Sequence, residues 1–223
     1  GMIRAVIFDM YETLITLHAA PLYFSAEMAA DVGVPVEAFR AAWYPTEEDR
    51  TLGRLDLEAA LRPVLEQFGR CEQPLIDLMV EKRKAAKRAS FDHVHSQVLP
   101  LLQALRDRGM KIGLITNCFW EEAEYIRQSE LFPYFDTAML SCAEGVAKPD
   151  VAIFHRCTAG LGVAPQECLY IGDGGSRELE TARSLGMQTA QAVWYLKDGT
   201  NQPKGRMQEF RQLEAPMDVL GML

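Results

Sequence analysis

The chain has 223 residues, with 31 acidic against 23 basic side chains and a formal net charge of −8. Hydrophobic residues make up 48% and charged residues 24%, a globular balance that excludes a disordered, collagen-like or repeat chain. So acidic a chain is a poor nucleic-acid binder, because phosphate contacts need a clustered positive surface, and no apolar run approaches the ~20 residues of a membrane span. The length suits one domain carrying a smaller insert. No signal peptide opens the sequence, and the five cysteines form no CxxC pair, so reduced thiols and a cytoplasmic location are expected.

Ile3 to Phe8 is apolar and β-branched, a buried strand with Asp9 at its C-terminal end. From Pro21 to about Ala89 the pattern turns helical. Leu22, Met28 and Val32 begin one amphipathic run, Phe39 and Trp43 lie in a second, and Leu57, Leu61, Leu65 and Phe68 mark a third. After Ser90 strands and helices alternate. A helix carries Val98, Leu101, Leu102 and Leu105, and a strand over 111–115 leads into Thr116-Asn117. A helix over 121–128, a short strand over 138–140 and a helix over 151–161 follow. A strand over 168–171 feeds Gly172-Asp173-Gly174-Gly175, then come a helix over 177–185 and a last strand over 189–193. This alternation predicts a doubly wound α/β fold with a parallel sheet, the helical stretch being inserted after the first strand.

Polar clusters stand at three strand ends: Asp9, Thr116-Asn117 and Asp173. Ligands of open α/β sheets bind at that edge, and Lys148, in a loop before a helix, can reach it. A carboxylate there can act as a nucleophile. Paired carboxylates can hold Mg²⁺, and a hydroxyl with an ammonium can bind phosphate oxygens.

Phe8-Asp9-Met10-Tyr11-Glu12-Thr13-Leu14, Thr116-Asn117, Lys148-Pro149-Asp150 and Gly172-Asp173-Gly174-Gly175-Ser176-Arg177-Glu178 resemble the four ordered motifs of the haloacid dehalogenase (HAD) superfamily. The resemblance implies a Rossmann-like core over 1–15 and 90–223 and an all-helical cap over 16–89. It implies Asp9 as nucleophile, Thr116 as substrate-binding hydroxyl with Asn117 beside it, and Lys148 as the group that steadies the nucleophile and its intermediate. It also implies Mg²⁺ held by Asp9, Asp173, Glu178 and the backbone carbonyl of Tyr11.

Two neighbouring positions depart from the phosphatase pattern. Tyr11 stands where those enzymes usually carry a general-acid aspartate, and Glu12 stands in place of the usual glycine. The metal-independent 2-haloacid dehalogenases resemble the chain at Tyr11 but lack the acid matching Asp173. The expected function is therefore a Mg²⁺-dependent phosphatase acting on a small anionic substrate, with a dehalogenase or a decayed binding protein as alternatives. Tyr11, Asn117 and the cap residue Arg40 are expected to touch that substrate, and Arg50 is a second cap arginine able to reach it. The basic run Lys82, Arg83, Lys84, Lys87 and Arg88 reads as a solvated helix face. Cys118 reads as a buried small thiol, and His93 with His95 as a loop between cap and core.

Overall fold

The computed structural model describes residues 2–196 and 205–223. Six parallel strands form one sheet in the order β3-β2-β1-β4-β5-β6: β1 (Ala5–Phe8), β2 (Lys111–Thr116), β3 (Thr137–Leu140), β4 (Cys168–Gly172), β5 (Gln188–Ala192) and β6 (Arg211–Leu213). Successive strand residues point to opposite faces. In β1, Val6 and Phe8 enter one apolar cluster, while Ala5 and Ile7 enter another across the sheet. Burial on both faces explains why β1 reads as a continuous apolar run. The strand β6 was not anticipated: it is three residues long, begins Arg-Gln, and is recognisable only by its backbone pairing with β5.

Five helices form the insert that follows β1: α1 (Ser25–Val32), α2 (Val36–Trp43), α3 (Glu47–Thr51), α4 (Leu57–Gln67) and α5 (Gln73–Ala89). Their apolar faces meet in a cluster of their own that includes Met28, Phe39, Trp43, Leu61 and Met79. The remaining helices flank the sheet: α6 (Val98–Asp107), α7 (Trp120–Gln128), α8 (Ser141–Glu144), α9 (Val151–Leu161) and α10 (Glu178–Ser184). The Asp150 side chain caps α9, accepting from the Ala152 N–H at 2.9 Å. That cap fixes the loop two residues after Lys148.

Polar contacts join the helical insert to the sheet layer. The Ser141 hydroxyl donates to the Thr51 carbonyl at 2.8 Å, and the Trp120 indole donates to the Gly53 carbonyl at 3.0 Å. A side chain at Gly53 would sit 1.9 Å from the Cys142 carbonyl oxygen, so only glycine fits that approach. The basic run of α5 corrects the solvated-face expectation in part. Arg83 and Lys87, one helical turn apart, are buried and pair with Glu121 at 2.7 Å and Glu122 at 2.8 Å. Both acids lie in the first turn of α7, where the helix dipole also favours negative charge. Lys82 and Lys84 keep substantial exposure, as expected. Among the described residues, no helix is long and apolar enough to cross a membrane.

Candidate active site

The chain reverses its direction of winding beside β1, and the groove between β1 and β4 opens at their C-terminal ends. Phe8 pairs with Ile171, and the Asp9 N–H donates to the Ile171 carbonyl at 3.0 Å. Asp9 and Asp173 therefore emerge side by side from adjacent strand ends. The Lys148 loop reaches the same place, tied by Asn117: its side-chain oxygen accepts from the Lys148 N–H at 2.9 Å and its amide donates to the Lys148 carbonyl at 3.0 Å.

Lys148 Nζ lies within hydrogen-bond reach of four acceptors. These are Asp9 Oδ1 at 3.0 Å, Glu178 Oε1 at 2.9 Å, the Ile115 carbonyl at 2.9 Å and the Tyr170 hydroxyl at 3.2 Å. An ammonium has three protons, so this one is saturated and pinned. Tyr170 donates to Glu178 Oε1 at 2.6 Å, and the Gly174 N–H donates to Glu178 Oε2 at 2.9 Å. The Glu178 carboxylate lies flat over β4. A Cβ on Gly172 would come within 2.5 Å of it, so glycine is required there. Asp9 Oδ1 also accepts from the Met10 N–H at 2.8 Å, and Oδ2 faces the Thr13 hydroxyl at 3.4 Å.

Asp9, Asp173 and Glu178 each place a carboxylate oxygen within 4.8 Å of the others. Three acids thus crowd together, and Lys148 pairs with two of them, Asp9 and Glu178. Burial, with Glu178 nearby, pushes the Asp9 carboxyl up to about 7 in spite of Lys148. Burial, with Glu178 and Asp9, pushes Asp173 up to about 9. Against the effect of burial, Asp9 and Glu178 hold the Lys148 ammonium above its ordinary range. Crowded carboxylates in a low-dielectric site favour either protonation or a bound cation. An all-oxygen donor set suits a hard divalent ion such as Mg²⁺, so these residues fit that metal.

The site faces a chamber of about 540 Å³ that Asp9, Tyr11, Asn117, Lys148, Asp173 and Glu178 all help to line. Two expected contacts lie elsewhere. Thr116 ends β2 with no exposed surface, its hydroxyl 3.4 Å from the Asn117 carbonyl, and Asn117 lines the chamber beside it. Arg40 lines an adjoining chamber, where its guanidinium donates to Ser25 Oγ at 3.0 Å and to Glu37 Oε1 at 3.1 Å. The Tyr11 side chain lines both chambers. Its buried hydroxyl has no hydrogen-bond partner among the described residues, and burial holds it protonated well above its ordinary range. Glu12 is anchored, accepting from the Thr16 hydroxyl at 2.7 Å and the Leu17 N–H at 2.9 Å.

Backbone strain collects around the same chamber. Glu12, Ser176 and Arg177 adopt φ of 61°, 53° and 52°, left-handed values that non-glycine residues rarely take. Such residues cost on the order of 1–3 kcal/mol each and cluster at functional sites. Sequence reasoning missed Tyr170, Ser176, His18 and Phe24 at this site. Tyr170 left one signal, as the polar-tipped residue in an otherwise apolar strand. Cys118 is buried as expected, 3.9 Å from the Cys142 sulfur. The His95 ring accepts from the Gln97 N–H at 3.0 Å in the loop expected for it.

The sequence pattern of the haloacid dehalogenase-like hydrolases matches residues 3–186. The chain belongs to that hydrolase family. A glyceraldehyde 3-phosphate phosphatase from Methanopyrus kandleri is 26% identical over 208 residues, covering 84% of this chain and 83% of the relative. A phosphoserine phosphatase from Thermus thermophilus is 26% identical over 138 residues, covering 61% of this chain and 53% of the relative. Among solved structures, a HAD family enzyme from Bacteroides thetaiotaomicron superposes with a TM-score of 0.70 at 18% identity, over 92% of this chain and 100% of that one. A 2-haloacid dehalogenase from Pseudomonas syringae superposes with a TM-score of 0.69 at 24% identity, over 99% and 97%. These likenesses extend the fold to this HAD hydrolase, and they include both activities that its first motif left open.

Proposed function

We propose that this HAD hydrolase is a Mg²⁺-dependent phosphatase of small phosphorylated metabolites, with Asp9 as nucleophile. The observation that carries this reading is the cluster of Asp9, Asp173 and Glu178 around Lys148, the one cation paired with it among the described residues. A dehalogenase without metal would have to bring an anionic haloacid against that excess negative charge. A phosphatase relieves it with a divalent ion that also binds the phosphoryl group. The two relatives named as phosphatases support the same choice.

Asp9 attacks phosphorus, the bond to the leaving oxygen breaks, and an aspartyl phosphate forms. Water then attacks that phosphorus, releasing inorganic phosphate and restoring the Asp9 carboxylate. Lys148, fixed by Glu178 and Tyr170, holds Asp9 Oδ1 and offsets charge on the transferred group. Glu178 thus acts chiefly as a positioning residue, and it would also help to hold the metal. Asp9, Asp173 and the Tyr11 carbonyl would complete the Mg²⁺ set, and the ion when bound would neutralise phosphoryl charge. Thr116 would reach the phosphoryl group only after a local shift, so Asn117 and Ser176, which line the chamber, are the nearer polar contacts. Tyr11 keeps its proton too firmly to serve as an efficient acid, and Glu12 is held by Thr16 and Leu17. Leaving groups that depart without protonation are therefore favoured.

The test is p-nitrophenyl phosphate hydrolysis with and without Mg²⁺, for the wild type, Asp9→Asn and Asp173→Ala. Mg²⁺-dependent turnover lost in both variants is expected. No turnover with Mg²⁺ would overturn the phosphatase reading, and halide release from 2-chloropropionate would then be measured.

A further inference from the structure

The five cysteines of the chain are not equivalent. Cys71 and Cys168 turn their thiols to backbone carbonyls, those of Arg62 at 3.6 Å and Ala164 at 3.5 Å. Cys118 and Cys142 face each other instead, sulfur to sulfur at 3.9 Å. The sheet register brings them together. Thr116 at the end of β2 pairs with Leu140 at the end of β3, and each cysteine lies two residues further along its strand's exit. Both are buried free thiols. Neighbouring strands lie ~4.8 Å apart, inside the ~4.4–6.8 Å of Cα separation that a disulfide spans. Bonding the pair would close the sulfurs by about 2 Å, to ~2.05 Å.

The two thiols differ in reactivity. The contact with Cys118, with Arg127 nearby, brings the Cys142 thiol below its ordinary range in spite of burial. The same contact, with burial, raises Cys118 well above its own. Thiolate character, which governs oxidation, thus concentrates on Cys142, with a second sulfur waiting beside it.

The pair is wired to the candidate active site. Cys118 directly follows Asn117, whose side chain holds the Lys148 N–H at 2.9 Å and the Lys148 carbonyl at 3.0 Å. Cys142 directly follows Ser141, whose hydroxyl accepts from the Cys118 N–H at 2.9 Å and donates to the Thr51 carbonyl at 2.8 Å. The Cys142 carbonyl is packed against Gly53 of the insert. The insert therefore braces the Cys142 side, and closing the bond draws on the segment of Asn117 and Cys118.

We propose that Cys118 and Cys142 form a peroxide-sensitive dithiol, whose disulfide pulls Asn117 away from the Lys148 loop and loosens the lysine at Asp9. The Cys142 thiolate attacks one oxygen of hydrogen peroxide and the O–O bond breaks. A sulfenic acid forms, and the released hydroxide takes up the thiol proton as water. The Cys118 sulfur then attacks the Cys142 sulfur; an S–S bond replaces the S–O bond, and the hydroxyl leaves with the Cys118 proton as a second water. The two thiols lose two electrons and the peroxide gains them. A small dithiol reverses the bond by exchange.

The test adds hydrogen peroxide to the reduced protein and maps its peptides by mass without reductant. A peptide pair joined through Cys118 and Cys142, and released by dithiothreitol, is expected. Hydrogen exchange at the Lys148 amide should become about tenfold faster in the oxidised form and slow again with dithiothreitol, because that N–H loses Asn117. Exchange in Cys142→Ala should not respond to peroxide, and Cys118→Ala serves if that variant does not fold. An effect on turnover rests on the phosphatase reading: p-nitrophenyl phosphate hydrolysis should fall about tenfold or more with the disulfide, as misplacement of a catalytic group does. Oxidation of Cys142 to a sulfinic acid without a cross-link, or a cross-link that leaves exchange at Lys148 unchanged, would overturn the switch. No turnover by the reduced protein would overturn the phosphatase reading alone, and the exchange rates would still decide the switch.

Discussion

Two buried ionic clusters stand within this molecule, and they are built on opposite principles. At the seam between the helical insert and the sheet layer, Arg83 and Lys87 meet Glu121 and Glu122, charge for charge. At the sheet edge, Asp9, Asp173 and Glu178 crowd together, and among the described residues one cation, Lys148, pairs with the group, through Asp9 and Glu178. The balanced cluster satisfies itself and acts as a fastener. The unbalanced one is left with negative charge that the described residues do not neutralise, which is the condition for recruiting a cation and for keeping a carboxylate reactive. Arg50 repeats the lesson with the sign reversed: a cation without a carboxylate partner among the described residues, beside a balanced set.

The largest effect that separates the clusters should be catalytic. Asp9→Asn is expected to lower turnover of p-nitrophenyl phosphate by ~10³-fold or more, as removal of a nucleophile does elsewhere, while leaving the thermal midpoint unharmed. Glu121→Ala should do the reverse. It strands Arg83 in a buried position, and breaking a buried pair from one side costs about 3–5 kcal/mol, readable by urea unfolding. Equal stability of Glu121→Ala and wild type would remove the fastener from the comparison.

A smaller effect tests the charge imbalance itself. Asp173 has its carboxyl raised in the folded state, so ionising it above its unfolded value destabilises the metal-free protein, progressively as pH rises from about 4 towards 9. Asp173→Asn should therefore raise the melting temperature at neutral pH without Mg²⁺. Each 1 kcal/mol gained reads as roughly 2–4 °C in a chain of this size. Added Mg²⁺ should stabilise the wild type and not the variant. A lower melting temperature for metal-free Asp173→Asn would contradict the imbalance.

The smallest effect lies on α5, one turn from Lys87. Lys84 sits 3.6 Å from Glu124 and is 41% exposed. Lys84→Ala should change stability by less than ~1 kcal/mol, the range of exposed pairs, whereas Lys87→Met should cost several times more by the same measurement. Similar losses in both would mean that burial does not separate the two lysines.

The difference between Lys84 and Lys87 also marks where sequence reading stops. Local order was legible because it is written locally. Alternation, apolar runs and strand-end polar residues announced the α/β core, the helical insert and the gathering of Asp9, Asn117, Lys148 and Asp173. A strand end delivers its next residue to the ligand edge whatever the rest of the chain does. The strand β6 was illegible because backbone pairing alone defines it.

The sequence by itself thus determined the layers, the edge at which chemistry occurs and the charged residues available to it. Only the tertiary structure decided which charges are neutralised. Arg83 and Lys87 look like their neighbours in the basic run, yet α7 buries them against Glu121 and Glu122. Tyr170 looks like core, yet its hydroxyl helps pin Lys148 and Glu178. Arg50 reads in sequence only as an insert arginine able to reach a substrate, yet Trp43 and Phe119, from separate parts of the chain, close over it. The physical reason is common to all three. The energy of a charge depends on its solvation and its nearest counter-charge, and both are set by segments distant in sequence that meet only when the chain is folded.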